Sequence, residues 1–215
     1  MSYRDRADAG ARLGEVVRQR APEDPLVLGL PRGGVPVAAQ VAAALGCPLD
    51  VVVARKVGAP GQPELGIGAV AEGGGEVLDA ASVRALGVSD AALTTATAAA
   101  REELGRRVAT YRGGRPRPPL DDHVVVLVDD GLATGVTAEA AVRGLRALGA
   151  DRIVLAVPVG APEAVARLGA VADEVVCPLA PERFRAVGQW YDRFGQTGDA
   201  EVLRLLGRTP PHDGG

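Results

Sequence analysis

Short, mostly apolar runs recur along the chain and are its clearest pattern. They lie at residues 25–30, 49–54, 124–128, 153–157 and 174–177. The runs lack the regular alternation of polar and apolar positions that marks a strand with one face in water. Each run is therefore typical of a buried strand in a parallel sheet that is covered on both faces.

Segments with helical periodicity separate these runs. An amphipathic helix is predicted at residues 5–20, with Leu13, Val16 and Val17 on its inner face. Further helices are predicted at residues 35–45, 90–112 (with Ser89 as the N-cap), 136–148 and 162–168. Alternation of buried strands and helices predicts an α/β fold, a doubly wound and mostly parallel sheet flanked by helices.

Two stretches depart from this alternation. Residues 58–75 are rich in glycine and proline, which predicts a long loop or a loose hairpin. A loop of that length is usually functional or disordered. After a core of residues 1–180, with a helical insertion at about 82–112, we expect a small appendage at 181–207 and a disordered tail at 208–215. The appendage should contain a short helix that starts at Asp199.

Composition adds little to the pattern but narrows the classes of protein to which the chain could belong. The 215 residues suffice for one domain, or for a domain with a subdomain. A net charge of −3 offers no basic surplus for nucleic acid. No apolar run approaches the roughly 18 residues of a membrane span. The N-terminal sequence MSYRDRADAG is polar, so we expect a cytoplasmic protein with neither membrane nor nucleic-acid partners.

Several enzyme classes lack their motifs here. The two cysteines and two histidines have no zinc-site spacing. None of the serines lies in a G-x-S-x-G turn, which disfavours a serine hydrolase. The single lysine, Lys56, stands between Arg55 and Val57 and not in a G-x-x-x-x-G-K-[ST] loop. A P-loop nucleotide hydrolase is therefore excluded.

The strand at 124–128 ends in two adjacent acids, Asp129 and Asp130. Ligands of doubly wound sheets bind beyond the carboxyl ends of the strands. Two neighbouring carboxylates repel each other there, so the site needs compensation. A diol or a metal ion could provide it, or one of the acids could cap the next helix. The loop behind them enters a helix, whose free N–H groups and dipole favour an anion such as phosphate. This loop consists of Ala133, Thr134, Gly135, Val136 and Thr137.

Basic and glycine-rich positions follow the two preceding strands. The sequence LPRGG places Arg32 and Gly33 after the first strand, where glycine lets backbone N–H groups approach an anion. Arg55 and Lys56 follow the second strand. Since the carboxyl ends of parallel strands share one edge, we expect all of these residues to face the same rim.

The sequence from Val125 to Thr137 resembles the phosphoribosyl diphosphate (PRPP) motif of type I phosphoribosyltransferases: an apolar strand, two acids and a T-G-x-T ending. Gly131 departs from that motif, which usually has an aliphatic residue there. The chain is also similar to a poorly characterised bacterial phosphoribosyltransferase group through LPRGGVPVA, RKVGAPGQPELGIGAV and VGQWYDRFGQ. The resemblance implies a type I phosphoribosyltransferase core, with residues 57–75 as its mobile loop and the appendage as its small C-terminal hood.

The resemblance also implies roles for the residues named above. Asp129 and Asp130 would hold the ribose hydroxyls of PRPP, and the loop that starts at Ala133 would hold its 5′-phosphate. The pyrophosphate group would lie on Arg32, Gly33, Arg55 and Lys56. Of these, the two acids and the Arg55–Lys56 pair are the candidate catalytic residues.

The implied reaction transfers 5-phosphoribosyl from PRPP to a nitrogenous base, in the manner of nucleotide salvage. Mg²⁺ is the expected cofactor, bound mainly through PRPP oxygens, with Asp129 or Asp130 as its candidate protein ligand. A homodimer is the family expectation. Two alternatives stay open: a non-catalytic regulator on the same fold that senses PRPP or nucleotides, and an enzyme that uses another ribose 5-phosphate donor.

The acceptor base is less well defined by the sequence. Hypoxanthine-guanine enzymes carry an aspartate three residues after the second acid, where this chain has Ala133, so a standard 6-oxopurine is not the expected acceptor. Glu64 and Glu72 are candidate acid or base groups, or solvated side chains. Trp190 and Tyr191 either stack on the base or belong to a small core. Packing roles are expected for the two phenylalanines of the same stretch, Phe184 and Phe194.

Overall fold

The computed structural model describes residues 2–20 and 22–208. Its helices are α1 (Arg6–Arg18), α2 (Gly34–Leu45), α3 (Ala80–Ala85), α4 (Asp90–Arg112), α5 (Val136–Ala147), α6 (Pro162–Leu168) and α7 (Asp199–Leu205). Its strands are β1 (Pro25–Gly29), β2 (Leu49–Val51), β3 (Ala54–Ala59), β4 (Gln62–Ala71), β5 (Glu76–Leu78), β6 (Val124–Val128), β7 (Arg152–Ala156) and β8 (Glu174–Val176). Single 3₁₀ turns lie at Glu72–Gly74 and Val187–Trp190.

The central layer is a sheet of five parallel strands in the order β2-β1-β6-β7-β8. Strand β6 lies in its middle, where Val126 faces Val27 of β1 on one side and Val154 of β7 on the other. These three valines are almost completely buried, as expected for strands covered on both faces. The predicted parallel, doubly wound sheet is confirmed. Its topology brings the carboxyl ends of β1 and β6 to the same edge.

Helices α1 and α2 cover one face of this sheet, and α5 and α6 cover the other. Helix α1 packs closely on α2 because Gly10 has no side chain. A Cβ atom at Gly10 would lie 2.6 Å from the carbonyl oxygen of Val37. This contact fixes the position of α1, whose first residue, Arg6, reaches the edge of the sheet where β1 and β6 end.

The predicted strand at 49–54 is split between two sheets, which corrects the sequence interpretation. Strand β2 ends at Val51, and β3 belongs to a separate antiparallel sheet in the order β3-β4-β5. The carboxylate of Glu72 accepts the N–H of Val53 at 2.8 Å, so a side chain takes the place of a neighbouring strand where the chain changes sheets. The glycine- and proline-rich segment forms the β3–β4 hairpin, which turns at Pro60–Gly61 with φ 75° at Gly61. Of the two predicted alternatives, the hairpin is the correct one.

Helix α4 forms as its pattern predicts. The Ser89 hydroxyl accepts the N–H of Ala92 at 3.3 Å, and Gly113 ends the helix with φ 55°. Among the residues that the structure describes, neither α4 nor any other helix is long and apolar enough to cross a membrane.

The C-terminal part of the chain is more integrated than the predicted appendage. Helix α7 starts at Asp199 as expected, but its Val202 and Leu203 are buried in the core cluster that also contains residues of α2 and α4. Arg208, which was assigned to a disordered tail, forms an ion pair of 2.7 Å with Asp50 and is only 11% exposed. The rest of the predicted tail, residues 209–215, lies outside the described residues.

Candidate functional site

The two acids lie directly after β6, at the carboxyl edge of the sheet. The backbone N–H of Asp130 donates to Oδ1 of Asp129 at 2.8 Å. Oδ2 of Asp130 accepts from Nε of Arg6, also at 2.8 Å. The other carboxylate oxygen of each acid has no hydrogen-bond partner among the described residues. The pair therefore offers two unshared oxygens, one from each side chain, which suits the two O–H donors of a vicinal diol.

Burial is the main cause of the shifted pKa values of these two acids. It raises the pKa of Asp129 well above its ordinary value, and the neighbouring charge of Asp130 raises it further. Burial also raises the pKa of Asp130, while the guanidinium of Arg6 counteracts that effect. The pair is thus costly when ionised and without a ligand, as the sequence predicts for adjacent acids at a strand end.

The loop after β1 packs against the acids. A Cβ atom at Gly33 would lie 2.1 Å from Oδ2 of Asp130, and one at Gly34 would lie 2.7 Å from the carbonyl oxygen of Val128. The peptide bond that precedes Arg32 is cis. The two glycines were predicted to let backbone approach an anion; the structure adds that no larger residue fits beside the acid pair.

Arg32 extends from this loop toward the start of α7. Its Nη1 lies 3.9 Å from Oδ1 of Asp199, and its side chain is 31% exposed. The same Asp199 oxygen accepts a hydrogen bond of 2.6 Å from the hydroxyl of Tyr111. Arg32 is therefore a loosely paired cation on the loop that contacts the acids, and its weak pairing would let it exchange Asp199 for an anionic ligand.

The predicted phosphate loop connects the acids to α5. Gly135 precedes the helix with φ 72°, and the helix has no side-chain cap. Among the described residues, no hydrogen bond engages the backbone N–H groups of Thr134 to Ala138. Unpaired N–H groups at the start of a twelve-residue helix suit an anion, and the hydroxyls of Thr134 and Thr137 are further possible donors.

Arg167 of α6 braces this loop. Its guanidinium donates to the carbonyl oxygen of Thr134 and lies 3.3 Å from the carboxylate of Glu139. Glu139, in the first turn of α5, also pairs with Arg143 at 2.8 Å and is almost buried. Arg167 thus ties the Thr134 carbonyl to α6 and to Glu139, while the N–H groups of the loop remain without a partner among the described residues.

A cleft of about 890 Å³ opens beside the phosphate loop. Its lining includes Thr134, Arg167 and Lys56. Lys56 lies in β3 and not at the end of a parallel strand, which corrects the predicted position of the basic pair. Successive side chains of a strand point to opposite faces, and Arg55, although exposed, does not line the cleft. The structure thus brings the lysine, but not the arginine, to the phosphate loop.

The two glutamates proposed as acid or base lie in different surroundings. Glu72 is 11% exposed, pairs with Arg112 at 3.0 Å and accepts the Val53 N–H. Arg112 also contacts Asp50 at 3.1 Å, so these groups form a buried ion network beneath the hairpin. Glu72 is therefore held by structural contacts and is not a solvated side chain, while its acid or base role stays a prediction. Glu64 is exposed on β4 near the hairpin turn, and its role stays a prediction.

The aromatic stretch also differs from its predicted roles. Tyr191 is 6% exposed, and its hydroxyl donates to the carbonyl oxygen of Asp130 at 2.6 Å. It therefore supports the acid pair from behind and has no free face for a base. Trp190 is partly buried beside it, and its base contact stays a prediction. Phe184 packs against this cluster as expected. Phe194 is instead 39% exposed, and the guanidinium of Arg6 lies over its ring, 4.0 Å from the ring centroid.

Two arginines of the site, Arg6 and Arg167, were not found from the sequence. Neither belongs to a local motif. Arg6 is 124 residues away from the acid that it contacts, and Arg167 is 33 residues away from Thr134. Only the packing of α1 and α6 on the sheet brings them to the site.

Comparisons with known proteins identify the family. A family model described as "Phosphoribosyl transferase domain" matches residues 6–188. A Mycobacterium tuberculosis (strain ATCC 25618 / H37Rv) protein named "Putative phosphoribosyl transferase Rv0571c" is 50% identical over 206 residues, or 96% of this chain and 46% of that protein. The chain thus spans about half the length of this curated relative.

Solved structures share the fold. TT1426 from Thermus thermophilus is 48% identical with a TM-score of 0.80, over 96% of this chain and 98% of that chain. The AQ2163 protein from Aquifex aeolicus is 14% identical with a TM-score of 0.52, over 85% of this chain and 78% of that chain. The second likeness concerns the fold alone.

Proposed function

Since the chain belongs to the family of phosphoribosyl transferase domains, we propose that it transfers the 5-phosphoribosyl group of PRPP to a nitrogenous base and releases pyrophosphate. The observation that carries this proposal is the single connection from β6 to α5. It begins with two unshared carboxylate oxygens, on Asp129 and Asp130, and ends with open N–H groups around Gly135. A 5-phosphoribosyl group carries a diol and a phosphate, the two kinds of group that the two ends of this connection suit.

The chemistry required of these residues is mainly positioning and charge stabilisation. The acceptor nitrogen attacks C1 of the ribose, the bond from C1 to the pyrophosphate oxygen breaks with inversion, and the nitrogen gives up its proton. Because C1 gains positive charge in the transition state, the nearby carboxylates of Asp129 and Asp130 stabilise it. The open N–H groups of the phosphate loop hold the 5′-phosphate throughout, which fixes C1 relative to the acceptor.

The leaving pyrophosphate requires cationic partners. Arg32 is free to leave its loose contact with Asp199, and Lys56 faces the cleft that the phosphate loop borders. Mg²⁺ would enter with PRPP on its pyrophosphate oxygens and neutralise part of the leaving group's charge. Among the described residues, no group of three or more acids, cysteines and histidines could form a metal site.

The acceptor is best sought outside the standard 6-oxopurines. The position that carries an acid in hypoxanthine-guanine enzymes is Ala133, whose side chain is exposed and has no acidic group. Glu139, the nearest acid on the following helix, is already held by Arg143 and Arg167. A general acid or base for the acceptor would therefore come from elsewhere, and Glu64 is the candidate.

The test incubates the chain with PRPP, Mg²⁺ and a panel of purine, pyrimidine and other nitrogen bases, and follows the release of pyrophosphate. We expect release that depends on one class of acceptor. The Asp129→Asn/Asp130→Asn variant should lose both this activity and PRPP binding. The matched control is Asp121→Asn/Asp122→Asn, which removes an exposed acid pair at the other end of the same strand and should change neither.

Two outcomes contradict the proposal at different levels. Unchanged PRPP affinity in the Asp129→Asn/Asp130→Asn variant refutes the assigned site. If PRPP stabilises the wild-type fold but no acceptor yields product, the catalytic assignment gives way to the PRPP-sensing regulator on the same fold.

A further inference from the structure

Arg6 contacts the acid pair, and neither the motif nor the proposed reaction explains this contact. It is the first residue of α1, and its Nε lies 2.8 Å from Oδ2 of Asp130. Both side chains are largely buried, with 13% and 14% exposure, so this is a desolvated ion pair and not a surface contact. A buried arginine on a substrate-binding carboxylate calls for a role, because an ion pair in this setting gains little stability by itself.

The C-terminal segment holds Arg6 in place. Its Nη1 donates to the carbonyl oxygen of Gly195 at 2.6 Å, and its guanidinium lies 4.0 Å from the ring centroid of Phe194. That segment is tied to the N-terminus by two backbone hydrogen bonds of 2.8 Å, from Tyr3 to Trp190 and from Asp192 to Tyr3. A planar guanidinium held on three sides is fixed in orientation, as a flexible ammonium group would not be.

This placement determines which oxygens of the pair remain available. Arg6 takes Oδ2 of Asp130, and the backbone N–H of Asp130 takes Oδ1 of Asp129. One oxygen of each acid is left, and when both acids are ionised the two carboxylates together with Arg6 carry a single net negative charge. A neutral diol can donate one O–H group to each free oxygen without approaching the guanidinium's charge. A divalent cation bound directly to the same carboxylates would be repelled by the guanidinium.

We propose that Arg6 is a positioning residue that sets the acid pair to accept the neutral 2,3-diol of a ribose phosphate and to reject a directly bound divalent cation. The diol part of this inference rests on the proposed function, whereas the cation part stands on the ion pair alone. Mg²⁺ that arrives on the pyrophosphate of a substrate is unaffected, because it does not need these carboxylates as ligands.

The experiment compares Arg6→Gln with Arg12→Gln. Arg12 lies on the same helix, pairs with Asp8 at 3.0 Å and is 45% exposed, so its loss removes the same charge without touching the acids. Mn²⁺ binding is counted from the electron paramagnetic resonance signal of the free ion, and ribose 5-phosphate affinity is measured by calorimetry. We expect one new Mn²⁺ site in Arg6→Gln, absent from wild type and Arg12→Gln and lost again in Arg6→Gln/Asp130→Asn.

Ribose 5-phosphate affinity should fall about tenfold in Arg6→Gln, the effect of losing one charge-assisted hydrogen bond that orients a ligand group. Arg6→Lys should again exclude Mn²⁺, because it retains the positive charge. If Arg6→Gln does not fold, Arg6→Lys and Phe194→Leu carry the test. Phe194→Leu removes the stacking face, and it should weaken ribose 5-phosphate binding a few-fold without creating a Mn²⁺ site.

Either of two results overturns the proposal: unchanged ribose 5-phosphate affinity in Arg6→Gln, or no gain of Mn²⁺ binding in that variant. Failure of the wild-type chain to bind ribose 5-phosphate has a different meaning. It counts against the proposed function, while the Mn²⁺ measurement still decides whether Arg6 excludes a cation from the acid pair.

Discussion

Replacing Gly33 with alanine tests whether the loop after β1 and the acid pair form one unit. The added Cβ atom would lie 2.1 Å from Oδ2 and 2.8 Å from Cγ of Asp130, and 3.2 Å from Nε of Arg6. Separations this short cannot persist, so either the carboxylate or the loop must move. The carboxylate is the end of a side chain and is the group that yields first.

The expected magnitude follows from the contact that this movement breaks. The displaced carboxylate loses its 2.8 Å bond to Arg6, in a setting where both groups are largely buried. A hydrogen bond to a charged group contributes roughly 1.5–3 kcal/mol. We therefore expect Gly33→Ala to lower the free energy of unfolding by about 2 kcal/mol. PRPP affinity should fall at least about tenfold, because one of the two diol acceptors is no longer in place.

Urea denaturation and calorimetric titration with PRPP measure these two effects. The control is Gly105→Ala in α4, where an added Cβ atom meets no other atom within 4 Å. Alanine is the better helix former, so the control should be stabilised by about 0.5–1 kcal/mol and should bind PRPP normally. A Gly33→Ala chain that unfolds at the wild-type urea concentration and binds PRPP with wild-type affinity would show that the contact between loop and acids has no such role.

Three further predictions concern the rest of the site. Arg167→Ala releases the Thr134 carbonyl, so KM for PRPP should rise about tenfold with kcat nearly constant, since the phosphate loop should bind ground state and transition state alike. Steady-state kinetics measure both constants, and a loss in kcat alone would contradict the bracing role. Glu72→Gln should cost about 3 kcal/mol in urea unfolding, because it breaks a buried ion pair, whereas Glu64→Gln should not change stability. The pKa of Asp129 is raised in the folded state, so the folded protein binds more protons than the unfolded chain at any pH between the ordinary and the raised value. Stability should therefore fall as the pH rises above about 4, and Asp129→Asn should flatten this slope and be more stable than the wild type at pH 7; a slope unchanged by the variant would assign it to other groups.

Local sequence patterns are sufficient to predict the structure of a segment wherever that segment alone determines its conformation. Strand β6 and helix α6 have the predicted bounds, because an unbroken, valine-rich apolar run and a proline at a helix start each specify one conformation. The acids and the phosphate loop lie on one connection, so their proximity follows from chain geometry once the strand and the helix are known. The part of the site that is contiguous in sequence could therefore be predicted.

Predictions failed where a residue's environment depends on a distant partner. The run at 49–54 is apolar except for Asp50, and nothing within it marks the point after Val51 where the chain changes sheets; that point depends on Glu72, which lies beyond the hairpin. The same carboxylate was a candidate for a solvated side chain, because its partner Arg112 is 40 residues further on. Tyr191 was likewise a candidate stacking residue, although its hydroxyl is engaged by the backbone of Asp130.

The acid pair shows why these failures gather at the functional site. Adjacent buried carboxylates need compensation, and no cation stands near them in the sequence. The compensation must therefore come from another part of the chain, and Arg6 supplies it from the N-terminus, held by Phe194 and Gly195 near the opposite end. A motif states which ligand groups a site recognises, but the charges that make the motif tolerable without its ligand are placed by the tertiary fold. In this chain the proposed ribose end of the site is consequently an assembly of three distant segments. If it binds PRPP as proposed, a change in either terminal segment should alter that binding even though the motif itself is intact.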